Sequence, residues 1–226
     1  MSEKKTRQRA VVLLSGGLDS TTLMYALVEK YEVWPLSINY GQRHSKELQA
    51  ARDVCLARGE WLVQRWQCFD LSNFPSLVEC TLTGKGIVPS GVYSKETLST
   101  LVVPNRNMIF LAIAAGYAQS IDAQYVAYAA HHNDSAVYPD CRPEFAMSVG
   151  ETLQLGTGGC VSLLAPFVHF TKGEVVRFGK GLNVPFKKTW SCYKGLEKHC
   201  GVCPTCLDRK HAFSEADVED PTEYEQ

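Results

Sequence analysis

Ala10-Val11-Val12-Leu13-Leu14-Ser15-Gly16-Gly17-Leu18-Asp19-Ser20 passes from an unbroken apolar run through two glycines into a helical stretch, Thr21 to Lys30. The run reads as a buried strand, so the local order is strand, tight turn, helix. Glycines let the backbone turn sharply and bring its N–H groups close to a phosphate, with no Cβ in the way. The helix that follows points unpaired N–H groups and its positive dipole end at the same spot. Ser15, Ser20, Thr21 and Thr22 add hydroxyl donors, and Asp19 can hold a magnesium ion or orient a water. The turn lacks the Gly-Lys-Ser/Thr ending of the Walker loop and the glycine spacing of the Rossmann fingerprint. A plain strand-to-helix turn without a ligand is the alternative.

The alternation continues outward from this turn. Val33–Asn39 reads as a second strand, and Ser45–Arg58 as a helix with Leu48, Ala51, Val54 and Cys55 on one face. Trp61–Cys68 reads as a weaker third strand. Strands alternating with helices imply parallel pairing and an α/β doubly wound sheet. Ligands in such sheets lie beyond the strands' carboxyl ends, where Ser15 to Ser20 fall. Asp70 to Thr100, with Pro75, Gly84, Gly86, Pro89 and Gly91, breaks the rhythm and reads as an insertion, a candidate mobile cover. Next come a helix over Arg106–Gln119, a strand over Ala123–Ala129 and a polar loop from Ala130 to Pro143. A helix over Glu144–Leu155, a short strand over Val161–Leu164 and a helix over Thr171–Gly179 follow. Thr171 and Glu174 have the spacing of a capping box.

A chain of 226 residues, 45% hydrophobic, suits one large domain or one domain with an appendage. Its net charge of −1 argues against a nucleic-acid binder that relies on counterion release. No apolar run has the length of a membrane span. The charged stretch Met1 to Arg9 lacks the apolar segment of a secretory signal, so the cytoplasm is the expected location. The nine cysteines form an odd total, against a simple disulfide framework. Cys55, Cys68, Cys80, Cys141 and Cys160 are scattered and read mostly as buried free thiols.

Cys192, Cys200, Cys203 and Cys206 are concentrated, and in a reducing compartment such a cluster favours a metal over bridged sulfur. Thiolates at this spacing can converge on tetrahedral zinc, with Gly201 and Pro204 easing the turns. Four sulfur ligands leave no open coordination position, which makes the site structural. An iron–sulfur cluster and independent thiols are the other readings of the same spacing. His199 beside a complete set reads as a bystander.

Two further stretches meet the same sheet edge, and a third precedes a helix. In Tyr138-Pro139-Asp140-Cys141-Arg142, Asp140 can accept ring N–H groups of a planar heterocycle while Arg142 grips a carboxylate. The alternative is an ordinary surface loop that caps the next helix. His131 and His132 are adjacent at a strand end, point apart, and are not read as a metal pair. Arg106, in Pro104-Asn105-Arg106-Asn107, binds pyrophosphate or a substrate carboxylate, or faces solvent. In Tyr40-Gly41-Gln42-Arg43-His44, Tyr40 offers an aromatic wall and Arg43 a phosphate contact, or Gly41 marks a plain turn.

Ser15 to Ser20 resembles the pyrophosphate loop of the N-type ATP pyrophosphatases, which split ATP into AMP and pyrophosphate. With the other stretches and the cysteine quartet in fixed order, the chain resembles the 7-cyano-7-deazaguanine synthase (QueC) family over roughly residues 10 to 210. The resemblance implies a pyrophosphatase domain over 8–185 with an insertion at 70–102, then a zinc segment over 186–212. An acidic tail over 213–226 reads as solvated or frayed. The implied reaction converts 7-carboxy-7-deazaguanine, ammonia and ATP into the nitrile, through an acyl adenylate and an amide.

By the same resemblance ATP and Mg²⁺ would lie on Leu14, Ser15, Gly16, Gly17, Leu18, Asp19, Ser20, Thr21, Thr22, Leu23, Met24, Tyr40 and Arg43. Asp19, Ser20, Arg106, Asp140 and Arg142 would serve catalysis, and Cys192, Cys200, Cys203 and Cys206 would hold Zn²⁺. A homodimer without membrane or stable nucleic-acid partner is also implied. Two stretches depart from the family's pattern. Asn105 stands where Pro-Gly-Arg-Asn is common, and Ala129 to Val137 differs from the Gly-Val-Cys-Glu-Thr-Asp-Phe-Ser-Gly of many members. Those departures leave open a relative that stops at the amide or joins another amine, even one on a protein. A tRNA sulfur transferase and a nucleotide-binding regulator without turnover are the remaining alternatives.

Overall fold

The computed structural model describes residues 7–42, 46–78, 80–83, 88–92, 101–135 and 138–225. Strands β1 (Arg9–Leu13), β2 (Glu32–Asn39), β3 (Gln67–Asp70), β4 (Tyr125–Ala127) and β5 (Ser162–Leu164) form one sheet in the order β3-β2-β1-β4-β5. Every pair is parallel, with Val11 opposite Trp34 on one side and Val126 on the other. The chain winds outward from β1 in one direction and later in the other. A crevice therefore opens at the carboxyl end of β1, where the winding reverses.

The described helices are α1 (Leu18–Leu27), α2 (Lys46–Arg58), α3 (Glu60–Arg65), α4 (Arg106–Ser120), α5 (His132–Ser135), α6 (Pro143–Gly156), α7 (Lys172–Gly181) and α8 (Pro204–Ala216). Val11 and Val12 are wholly buried on opposite faces of the sheet, which is why β1 is apolar without alternation. Val12 packs with Leu23, Met24, Val54, Val175 and Phe213. Val11 packs with Leu111, Ala114, Val126 and Val149 on the other side. The Thr171 box is formed: the Glu174 N–H donates to Thr171 Oγ1 at 3.1 Å and the Thr171 N–H donates to Glu174 at 2.7 Å. This fixes where α7 starts.

The expected third strand over Trp61–Cys68 is corrected: α3 occupies Glu60–Arg65 and β3 begins at Gln67. Leu62 is wholly buried, while Arg65 lies over the Trp61 and Trp34 rings at 5.3 and 5.5 Å. A four-residue spacing from Trp61 to Arg65 satisfies a helix better than a strand. Among the scattered cysteines, Cys55 and Cys141 are buried as expected, but Cys68 and Cys160 are exposed.

The acidic tail is ordered rather than frayed, although Asp217, Glu219, Glu223 and Glu225 are exposed. His199 and Glu225 donate to backbone carbonyls of Glu223 and His199 at 3.2 and 2.8 Å. The buried Arg209 guanidinium donates to Thr222 at 2.7 Å and pairs with Asp220 at 3.5 Å. A buried guanidinium needs acceptors, and the tail supplies them. Within the expected cover, Phe74, Leu82 and Leu101 are buried against Ile38 and Tyr40. Residues 79, 84–87 and 93–100 of that segment lie outside the described residues.

Candidate functional site

Gly16 has φ +82°, and a Cβ there would fall 2.4 Å from the Glu47 carbonyl oxygen and 2.5 Å from the Ala51 nitrogen. Glycine alone lets α2 press against the loop this closely. Gly17 then opens α1, and its N–H donates to Ser15 Oγ at 3.2 Å. The Ser15 N–H donates to Ser20 Oγ at 3.2 Å, and the two hydroxyls meet at 3.0 Å. Leu14, Ser15, Gly17, Leu18, Asp19 and Ser20 line a cleft of about 250 Å³ at the end of β1.

Thr21, Thr22, Leu23 and Met24 do not line it. Thr22 Oγ1 donates to the Leu18 carbonyl at 2.9 Å, and Leu23 and Met24 are wholly buried in the core. A helix turns about 100° per residue, so only its first turn faces the ligand side. Gly16 shapes the turn without lining the cleft. Tyr40 lines the cleft beside Phe110, at 5.4 Å between ring centroids. Arg43 lies outside the described residues.

The Asp19 carboxylate stands 3.6 Å from Lys172 Nζ and 3.6 Å from His131 Nε2. Lys172 also pairs with Asp208, and His131 with Asp134 at 3.2 Å. Burial opposes ionisation of Asp19, but Lys172 and then His131 outweigh it and hold the carboxyl well below its usual range. Burial likewise works against the charge on Lys172, and Asp19 and Asp208 raise it above its ordinary value. Asp19 Oδ1 is buried without a hydrogen-bond partner among the described residues, leaving an acceptor that fits Mg²⁺.

Lys172, His131, Asp134 and Asp208 were not singled out for this chemistry by sequence. A usable signal exists for Lys172: it follows β5, and therefore returns to the ligand edge.

Arg106 begins α4, lines the cleft and lies over the Tyr40 ring at 5.9 Å. Burial works against its charge, and Tyr40, Tyr193 and Tyr138 more than compensate. Neither Asp140 nor Arg142, for which substrate roles are expected, lines the cleft itself. Asp140 accepts the Asn107 N–H at 3.0 Å, serving a free donor in the first turn of α4. Arg142 is exposed and donates to the Ser135 carbonyl at 3.2 Å.

The sulfurs of Cys192, Cys200, Cys203 and Cys206 all lie within 4.8 Å of one another, and all four residues are buried. Cys200 and Cys206 sulfurs are 3.9 Å apart. A zinc–sulfur bond of about 2.3 Å gives a tetrahedron with edges near 3.8 Å, so the set fits Zn²⁺. Backbone N–H groups of Cys200 and Lys194 donate to Cys192 Sγ, at 3.3 and 3.4 Å, which favours thiolate. His199 stays outside the set, stacked on Trp190 at 4.2 Å and accepting the Ser191 N–H at 3.1 Å. Ser191, Tyr193, Thr205 and Asp208 carry this segment into the cleft wall.

A parallel sheet with a glycine–serine loop at its switch point defines a nucleotide-handling α/β protein of the pyrophosphatase-loop type. The U34-tRNA thiolase NcsA from Methanococcus maripaludis, solved with its [4Fe-4S] cluster, shares this fold at a TM-score of 0.52 and 16% identity. That match covers 94% of this chain and 66% of the thiolase. The chain belongs to the QueC family, whose model, described as "Queuosine biosynthesis protein QueC", matches residues 9–217. The 7-cyano-7-deazaguanine synthase of Hahella chejuensis is 46% identical over 96% of this chain and 93% of its own length. That of Caldicellulosiruptor saccharolyticus is 45% identical, covering 96% of both. The Archaeoglobus fulgidus synthase is 46% identical over 94% of this chain and 89% of its own length. Among the described residues no helix is long and apolar enough to cross a membrane.

Proposed function

We propose that the protein is a 7-cyano-7-deazaguanine synthase, an ATP-dependent ligase that turns 7-carboxy-7-deazaguanine and ammonia into the nitrile. The observation that carries this reading is the Ser15–Ser20 loop, with Asp19 paired to Lys172, sharing one cleft with Arg106. A carboxylate is a poor electrophile. Its oxygen attacks the α-phosphorus of ATP, pyrophosphate leaves, and the acyl adenylate accepts ammonia to give an amide. A second ATP activates the amide oxygen, and loss of AMP yields the nitrile.

The residues' work is positioning and charge stabilisation. Ser15, Gly17 and Ser20 hold the leaving pyrophosphate, with Lys172 supplying positive charge beside it. Arg106 orients the substrate's carboxylate. Mg²⁺ bound at Asp19 would neutralise charge on the phosphates. Zn²⁺ on the four cysteines would fix the wall formed by residues 186–212, beside a nucleotide domain over 8–185. A cytoplasmic homodimer using free ammonia, without a stable nucleic-acid partner, completes the reading.

Mass spectrometry of products from ATP, ammonium and 7-carboxy-7-deazaguanine tests it. The nitrile is expected, with AMP and pyrophosphate. An end product of amide or amine conjugate would replace the synthase reading with that of a divergent relative. Unreacted acid would contradict both.

A further inference from the structure

Glu47 stands in the first turn of α2, and its carbonyl oxygen fills the space that a Gly16 Cβ would need. Glu47 lines the same cleft as Asp19 and Arg106. The other cleft carboxylates are engaged: Asp19 and Asp208 by Lys172, Asp134 by His131. The Glu47 side chain has no hydrogen-bond or ion-pair partner among the described residues. Amide formation releases a proton from nitrogen, and nitrile formation releases two more. A group in the cleft that accepts protons near neutrality would speed both steps.

We infer that Glu47 is the proton acceptor for the nitrogen that attacks the acyl adenylate and for the amide nitrogen that becomes the nitrile. The inference rests on the synthase reading. In the first round the nitrogen lone pair forms the C–N bond. The C–O bond to the adenylate breaks, AMP leaves with that electron pair, and the N–H proton passes to Glu47 and on to water. In the second round AMP leaves from the adenylated amide as the C≡N bond forms. The two N–H protons depart by the same route, one after the other.

The surroundings favour this assignment. Burial pushes the Glu47 carboxyl up to about 7, with the charge of Arg106 opposing the rise. Burial pushes the Tyr40 hydroxyl up to about 12 and raises Tyr128 and Cys141 well above their ordinary values. Those three stay protonated at neutral pH and cannot accept a proton there.

The experiment separates two half-reactions in Glu47→Gln. Substrate-dependent exchange of labelled pyrophosphate into ATP reports adenylation alone, and single-turnover amide formation reports attack by ammonia. The exchange should persist while amide formation falls by about 100-fold or more. Hydroxylamine, uncharged at neutral pH and intrinsically nucleophilic, should narrow that deficit by trapping the adenylate as hydroxamate. Glu47→Asp, which keeps an acceptor, should retain more amide formation than Glu47→Gln. Equal loss of both half-reactions, undiminished amide formation, or the reverse order of the two variants would overturn the role. Absence of exchange in the unmodified protein would instead overturn the synthase reading.

Discussion

The backbone N–H of Trp190 donates to the carbonyl of Gly16 at 2.9 Å, so the cysteine segment holds the nucleotide loop at its tightest point. The cysteine cluster and the proposed ATP site are therefore one mechanical unit. Removing zinc with a chelator should lower Tm and weaken ATP binding together. By linkage, ATP should tighten zinc retention by the same factor, on the order of 5- to 150-fold. A colorimetric zinc titration with and without ATP reads this directly. Cys203→Ser should lose metal and Tm as well, and zinc-free protein with unchanged Tm and ATP affinity contradicts the coupling.

Gly16→Ala should damage the loop in two ways. At φ +82° the alanine is strained, and its Cβ meets backbone of Glu47 and Ala51, which no side-chain rotation relieves. Strain of this kind costs about 1–3 kcal/mol, and the overlap adds to it. Tm should fall and pyrophosphate exchange should be lost. Gly158→Ala, at φ +63° but with nothing within 4 Å, is the matched control and should leave exchange intact.

Lys172→Met leaves Asp19 and Asp208 without their shared cation. Breaking a fully buried pair costs about 3–5 kcal/mol. The loss here should be smaller, because the Asp19 and Asp208 side chains keep 22% and 23% of their exposure. AMP formation should drop at least tenfold with a raised KM for ATP. A double-mutant cycle with Asp208→Asn should show the two losses to be non-additive. Additive effects would place Asp208 outside the network.

His131 predicts a pH dependence of stability. Burial alone would lower its pKa, yet Asp134 and Asp19 raise it above the ordinary 6.5. A raised folded-state pKa contributes stability that is fully present below 6.5 and lost as pH rises through the folded value. Asp19 shifts the other way, and its contribution is lost only in strong acid. His131→Gln should therefore lower Tm most at about pH 6, with the difference shrinking as pH rises. A Tm difference independent of pH excludes the pairing as its source.

What could be read without the structure was local. The strand, glycine turn and helix at Ala10–Lys30, the Thr171 capping box and the cysteine quartet each depend on near neighbours in the chain. Asp19 stands out in the sequence, but its partners His131 and Lys172 follow β4 and β5, an arrangement that no periodicity reveals. Nothing near Asp140 in the sequence shows that the first turn of α4, more than thirty residues earlier, takes its carboxylate. The docking of the tail is hidden for a similar reason, since Asp220 and Thr222 answer a buried Arg209 that lies more than ten residues earlier. Trp61 to Arg65 satisfies both the two-residue and the four-residue period, and only the burial of Leu62 decides between them.

The path of oxygen tests the central chemistry most directly. Substrate labelled with ¹⁸O in both carboxylate oxygens, turned over with ATP and ammonium, should yield one labelled oxygen in every AMP and none in pyrophosphate. Release of ADP with label in orthophosphate would place the attack at the terminal phosphorus and contradict the proposed role of the loop.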